Sequence, residues 1–227
     1  MKERGMIFNA EMVRAILDGR KTQTRREVKL NLDIACLATT YDWATSLAVN
    51  HYQGLTEEQI QQKAESLRGV IHPVILGNGQ MVSIICPHGK PGDRIWVRET
   101  FAALEPGSYE QVKPQEGHCQ DLRYAATDRL AKSDADIRGY KWVPSIHMPR
   151  WASRILLEIT DVRVERLKSI SDRDALREGC SAADMKSGDC VADVFARLWA
   201  SIYGSDSWNA NPWVWVIEFK RVEGGAA

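Results

Sequence analysis

Two stretches near the C-terminus constrain the fold more than any other part of the chain. Val191, Val194, Phe195, Leu198, Trp199 and Ile202 recur at helical spacing up to Gly204. Trp213, Trp215, Ile217 and Phe219 then occupy every second position. The first pattern is the apolar face of a helix and the second is one face of a strand, so the chain must bury a helix against a sheet. Trp199, Trp213 and Trp215 are thereby expected in the core. Two further strands are predicted, one over Arg94 to Phe101 after the Pro91-Gly92-Asp93 turn, and one over Ile155 to Val164 with Ile155, Leu157 and Ile159 on one face. Strands separated by long irregular stretches, with helices at the side, point to an α+β fold around a small curved sheet or barrel.

The length of 227 residues suits one domain with large insertions or two small ones. With 30 basic and 30 acidic residues the formal charge is zero, which argues against a histone-like or tail-driven nucleic-acid binder while leaving room for a local basic patch. The cysteines at 36, 86, 119, 180 and 190 are scattered without a CxxC, so neither a disulfide framework nor a zinc ribbon is indicated. Cys86, His88, His118 and Cys119 have spacings that match no standard zinc site. The charged start lacks the apolar run of a signal peptide, and no stretch approaches the roughly 18 apolar residues of a membrane span. The expectation is a cytoplasmic protein in a reducing compartment, with no membrane partner, metal or cofactor. The phosphate-loop, dinucleotide, zinc-protease and serine-hydrolase motifs are all missing.

Asn9 to Gly19 carries an N-cap, helical spacing of Met12, Val13, Ile16 and Leu17, and a glycine stop. This helix delivers the chain into Gly19-Arg20-Lys21-Thr22-Gln23-Thr24-Arg25-Arg26. Between residues 14 and 29, six bases (Arg14, Arg20, Lys21, Arg25, Arg26, Lys29) outnumber two acids (Asp18, Glu27), a local charge of +4. An anion or an acceptor-rich ligand is the natural partner. A solvated, basic helix end is the alternative. Lys21 and Thr24 are three apart and would face one another if the helical turn continued. The amine is a base only if desolvation or neighbouring cations lower its pKa. From 27 to 90 the periodicity is broken except for a capped helix from Thr56 to Gly69, which reads as an insertion. Residues 102 to 145 read as a second one.

From Lys141 to Arg154 there are three bases and no acid, interleaved with Trp142 and Trp151. Arg150 and Trp151 are candidates to stack on and neutralise a nucleotide, bordering the same cleft as Lys21. A connector with core tryptophans and surface arginines is the alternative. His147 is an acid-base candidate or a structural histidine. Of Arg98 and Glu99, alternation sends at most one into a pocket, and an ion pair within the fold is the simpler role for Glu99. Glu178, before Gly179, reads by itself as an exposed residue in a last helical turn.

Gly19 to Arg26 resembles the G-x-K-x-x-T-x-R signature of the ASCH domain, a member of the PUA-like superfamily of small β-barrels. Pro91 to Val97 is similar to the family's P-G-D turn and strand, Ile155 to Leu167 to its central strand, Asp174 to Gly179 to its acidic helix end, and Trp213 to Phe219 to its closing strand. These matches keep their order and cover somewhat less than half of the chain. The two insertions resemble those of longer ASCH proteins of bacteriophages and prophages. The resemblance implies a single PUA-like barrel with flanking helices over 1–227. In the acetylcytidine amidohydrolases of the family, a Lys, a Thr and a Glu match Lys21, Thr24 and Glu178. On that pattern Thr24 would attack an acylated cytosine, Lys21 would take its proton and Glu178 would orient the lysine or protonate the leaving amine. Arg26 or Arg98 would stabilise the oxyanion, with Arg20, Arg25, His147, Arg150 and Trp151 binding substrate. Other members bind RNA or modified bases without catalysis, and RNase activity is attributed to some, so the implied partner is a nucleoside or RNA.

Overall fold

The computed structural model describes residues 1–30, 32–51 and 54–222. In chain order these form β1 (Glu3–Ile7), α1 (Ala10–Leu17), β2 (Gln23–Glu27), β3 (Ile34–Leu37), α2 (Thr40–His51), α3 (Glu57–Leu67), β4 (His72–Leu76), β5 (Met81–Ile84), β6 (Arg94–Arg98), β7 (Phe101–Leu104) and β8 (Asp121–Tyr124). They continue through α4 (Ala135–Arg138), β9 (Leu156–Arg166), α5 (Asp172–Arg177), α6 (Val191–Tyr203), α7 (Ser205–Ala210) and β10 (Trp213–Val222). The α+β expectation holds. The main sheet has the order β1-β6-β9-β10-β2, with β1 and β6 parallel and the other pairs antiparallel. Among the described residues no strand pairing joins β1 to β2, so the sheet is curved and open rather than a hydrogen-bonded closed barrel. At one end the gap is bridged by a side chain: Arg26 Nη2 donates to the Ile7 carbonyl over 2.7 Å.

The long strands bury both faces. Trp215, Ile217 and Phe219 of β10 join Phe8, Val13, Ile16, Ile95, Val97 and Leu157 in the main core. Val214 and Val216, on the other face, pack with Ala175 of α5 and with Val194, Phe195 and Trp199 of α6. β9 holds its register with a bulge: Phe219 pairs with Ile159 and Glu218 with Asp161, leaving Thr160 extra. That residue resets the alternation, so Leu157 and Ile159 before it and Val162 and Val164 after it all reach the main core.

The turn before β6 has a structural task. The Asp93 carboxylate accepts from the Lys2 amide at 2.8 Å and from Arg4 at 3.3 Å, pinning β1 beside β6. The first insertion is more structured than its sequence suggests. It forms a three-stranded sheet, β3-β4-β5, besides α2 and α3. It is also no separate unit, because Ile34, Val74 and Ile84 belong to the main core and the Trp213 indole donates to the Ile34 carbonyl over 2.9 Å. The second insertion pairs β7 with β8, and a bridge from Phe101 to Val143 closes it. No helix among the described residues is long and apolar enough to cross a membrane.

Candidate functional site

The basic segment after α1 is not continued helix. Gly19, at φ 74°, ends α1, and the Lys21 amide folds back to the Ala15 carbonyl. Thr22 then extends towards β2, accepting from the Phe219 amide. In extended chain, residues three apart point to opposite faces. β10 sets which face is which, because Thr24 pairs with Ile217 and Arg26 with Trp215, both in the main core, while Gln23 pairs with Glu218 and Arg25 with Val216, on the α5–α6 side. The expectation that Lys21 and Thr24 face one another is therefore not met. Thr24 is 2% exposed and its hydroxyl bonds to neither Lys21 nor Glu178.

Lys21 and Glu178 do meet. The Lys21 side chain is 0% exposed and that of Glu178 2%. Nζ donates to Glu178 Oε2 at 2.7 Å and to the Glu178 carbonyl at 2.8 Å. The other carboxylate oxygen accepts from Arg25 Nη1 at 3.1 Å. Glu178 is thus a buried ion-pair partner rather than an exposed residue. Gly179 makes the approach possible: its φ is +95°, and a Cβ there would lie 2.9 Å from the Ala15 Cβ and 3.2 Å from the Lys21 Cβ. Burial lowers the Lys21 pKa, and the Glu178 charge opposes that shift.

The pair ends a longer relay of charges. Arg25 also donates to Glu165 at 3.2 Å and lies 3.6 Å from Asp174. Arg163 donates to Glu165 at 2.6 Å, to Asp174 at 3.4 Å and to Glu218, which Arg177 holds with both terminal nitrogens. Lys21, Arg25, Arg163 and Arg177 thus face Glu165, Asp174, Glu178 and Glu218, with Asp161 a further carboxylate 3.8 Å from Arg163. Sequence reading missed Arg163, Glu165, Arg177 and Glu218 as members. The available signal is charged residues alternating with apolar ones on strands whose two faces are both buried, as in Val162-Arg163-Val164-Glu165. Buried charges at low dielectric must be paired, and here each is. Among the described residues no group of three or more His, Cys, Asp or Glu side chains gathers as a metal site.

A cleft of about 490 Å³ opens beside this pair, lined by Glu178, Gly179, Arg14, Arg20, Asp184 and Arg197 among others. Arg20 lies at it, bonded to the Gly179 carbonyl and to Asp18, both at 3.0 Å. The remaining candidates lie elsewhere. Arg26 donates to Tyr203 and to Ile7. Arg98 is held by the carbonyls of Ser145 and Ile146. Glu99 is buried in a two-pronged pair with Arg154, at 2.9 and 3.0 Å, which is the simpler of the roles expected for it. His147 is exposed. Arg150 pairs with Glu3 of β1 at 2.9 Å, and Trp151 packs on the Phe101 and Met148 cluster. Neither lines the Lys21–Glu178 cleft, because their segment is anchored on β1 and β7 while β2 is at the opposite edge of the sheet. Compared with protein-family models, with curated proteins and with solved structures, the chain finds no match.

Proposed function

We propose that this chain is a nucleoside-directed protein of the ASCH, PUA-like type whose Lys21–Glu178 pair hydrolyses N-acylated cytosine nucleosides. The observation that carries the reading is the pair itself: an ammonium with no exposed surface, its pKa lowered by burial, held on a carboxylate that lines a cleft. Such an amine exchanges a proton near neutral pH more readily than a solvated one. Substrate entering the cleft beside Glu178 would have to loosen the pair. Glu178 would take the ammonium proton as the pair opens, and the neutral Lys21 amine would then accept a proton from an attacking water as its oxygen adds to the acyl carbon. Collapse of the tetrahedral intermediate breaks the carbon–nitrogen bond, and Lys21 returns the proton to the departing exocyclic amine. The PUA-like topology is part of this proposal, supported by the order of the motif matches and the curved five-stranded sheet.

A second reading, a non-catalytic module for RNA or modified bases, is favoured by the Thr24 hydroxyl, which bonds to neither member of the pair. Absorbance of acetylcytidine separates the two. On the first reading the wild-type chain removes the acetyl group, and Lys21→Ala lowers kcat/KM by about 100-fold or more while circular dichroism shows it folded. Turnover unchanged in Lys21→Ala would end that reading. Absent turnover, with oligonucleotide binding that weakens steeply with salt, would establish the second.

A further inference from the structure

Arg25 reaches the Lys21–Glu178 pair from the strand face that β10 assigns to it. It is the register partner of Val216, so its side chain leaves β2 on the α5–α6 side, where it has no exposed surface. One terminal nitrogen donates to Glu178 Oε1 at 3.1 Å. The other donates to Glu165 Oε2 of β9 at 3.2 Å and lies 3.6 Å from Asp174 of α5. The guanidinium carbon sits 5.7 Å from the centre of the Phe195 ring of α6. A planar group gripped from three elements at once holds its orientation. Arg25 does not line the cleft, so it reaches a bound substrate only through Glu178.

The consequence falls on the Glu178 carboxylate, whose two oxygens are divided. Oε1 accepts from Arg25, and Oε2 accepts from Lys21 at 2.7 Å. A carboxylate with Oε1 free turns about its last bond and presents either oxygen. With Oε1 held, a proton leaving the lysine has one oxygen to go to, and the carboxyl group keeps its place after receiving it. A cation beside the pair also disfavours each further proton on it. The other charged or titratable groups facing the pair are few. Arg26 and Cys180 act on Lys21, the relay meets Glu178 through Arg25, and Arg14 of α1, Arg20, Asp184 and Arg197 of α6 stand in the cleft.

We infer that Arg25 is a positioning residue for the pair: it fixes Glu178 with Oε2 as the one oxygen open to the lysine proton, and it sets the pH range over which the pair exchanges that proton. The inference rests on the reading of the pair as the reactive group, and its test separates the two.

Arg25→Lys keeps a cation on the strand and lacks the fork that spans Glu178 and Glu165. With acetylcytidine as substrate it lowers kcat about tenfold and leaves KM within about twofold, because the cleft itself is unchanged. Both limbs of its pH profile move to higher pH by about half a pH unit or more. A merely structural loss lowers activity at every pH alike and moves neither limb. Carbon-13 resonances give a second readout that needs no turnover. The Lys21 Cε signal, assigned by its absence in Lys21→Ala, titrates at higher pH in Arg25→Lys than in the wild type. In the wild type the nitrogen-15 signals of the Arg25 guanidinium shift with the same midpoint as Lys21 Cε, since one carboxylate serves both, and this measurement stands whether or not Arg25→Lys folds. A wild type without turnover ends the hydrolytic reading and leaves the resonances to decide. A Lys21 midpoint that Arg25→Lys leaves in place, or Arg25 signals that ignore the Lys21 titration, overturns the inference.

Discussion

Gly179 is the residue on which the closest packing of the site depends. It follows Glu178 with φ +95°, a conformation side chains resist, and it faces two Cβ atoms closer than an added methyl would tolerate. Gly179→Ala therefore meets backbone strain and a clash together. We expect a loss of about 2–4 kcal/mol in urea unfolding, combining roughly 1–3 kcal/mol of backbone strain with overpacking. Gly188 has a similar φ of +87° but open space around it, so Gly188→Ala incurs the backbone strain alone and destabilises less. Equal losses in the two variants would show that the contact with Ala15 and Lys21 is unimportant.

At the scale of elements, α1 sets where the basic segment begins. Its N-cap is the Asn9 side chain, which accepts from the Met12 amide at 2.8 Å. Val13, Ala15 and Ile16 bury its inner face, and its last turn passes directly into the fold-back at Lys21. Asn9→Ala is expected to cost about 1 kcal/mol in urea unfolding, since the first-turn amide loses its acceptor. α6 offers the contrast. Its Val191, Val194, Phe195 and Trp199 are buried as their spacing predicts, while Ile202 lies 43% exposed just before the helix ends. Ile202→Ser should then change stability by no more than about 0.5 kcal/mol, measured the same way.

For the whole molecule, the relay of charges and the buried histidines make stability depend on pH. Asp174 and Glu218 have pKa values below the ordinary carboxylate range: burial pushes them up, and the surrounding hydrogen bonds and arginines outweigh it. Asp93 behaves likewise, through the amides of Lys2 and Lys90 and the Arg4 guanidinium. A carboxylate depressed in the folded state contributes stability that is present above its unfolded value, near pH 4, and is lost as pH falls through the folded one. His72 and His88 are lowered mainly by burial, His88 to about 4. Unfolding therefore takes up protons at these histidines below about pH 6.5, and stability falls there too. Urea midpoints should decline gently from pH 6.5 towards 4 and drop more steeply below that. His88→Phe should flatten the gentle segment; a profile flat down to pH 4 in the wild type would contradict the histidine assignment.

The sequence by itself determined the elements whose signals are local. The capped α1, the amphipathic α6, the alternating β10 and the P-G-D turn follow from spacing, caps and turn residues within a dozen positions. It also singled out Lys21 and Glu178, through resemblance rather than periodicity. Only the tertiary structure decided which charges pair, because Lys21 and Glu178 stand 157 residues apart and no local pattern carries that distance. It likewise decided that Lys21 and Thr24 part company. A helical and an extended continuation after Gly19 assign the same residues to different faces, and pairing with β10 selects the extended one. The strands of the first insertion were hidden for the same reason: β3, β4 and β5 are four or five residues each, too short to display a period, and take their form from one another and from the core they share.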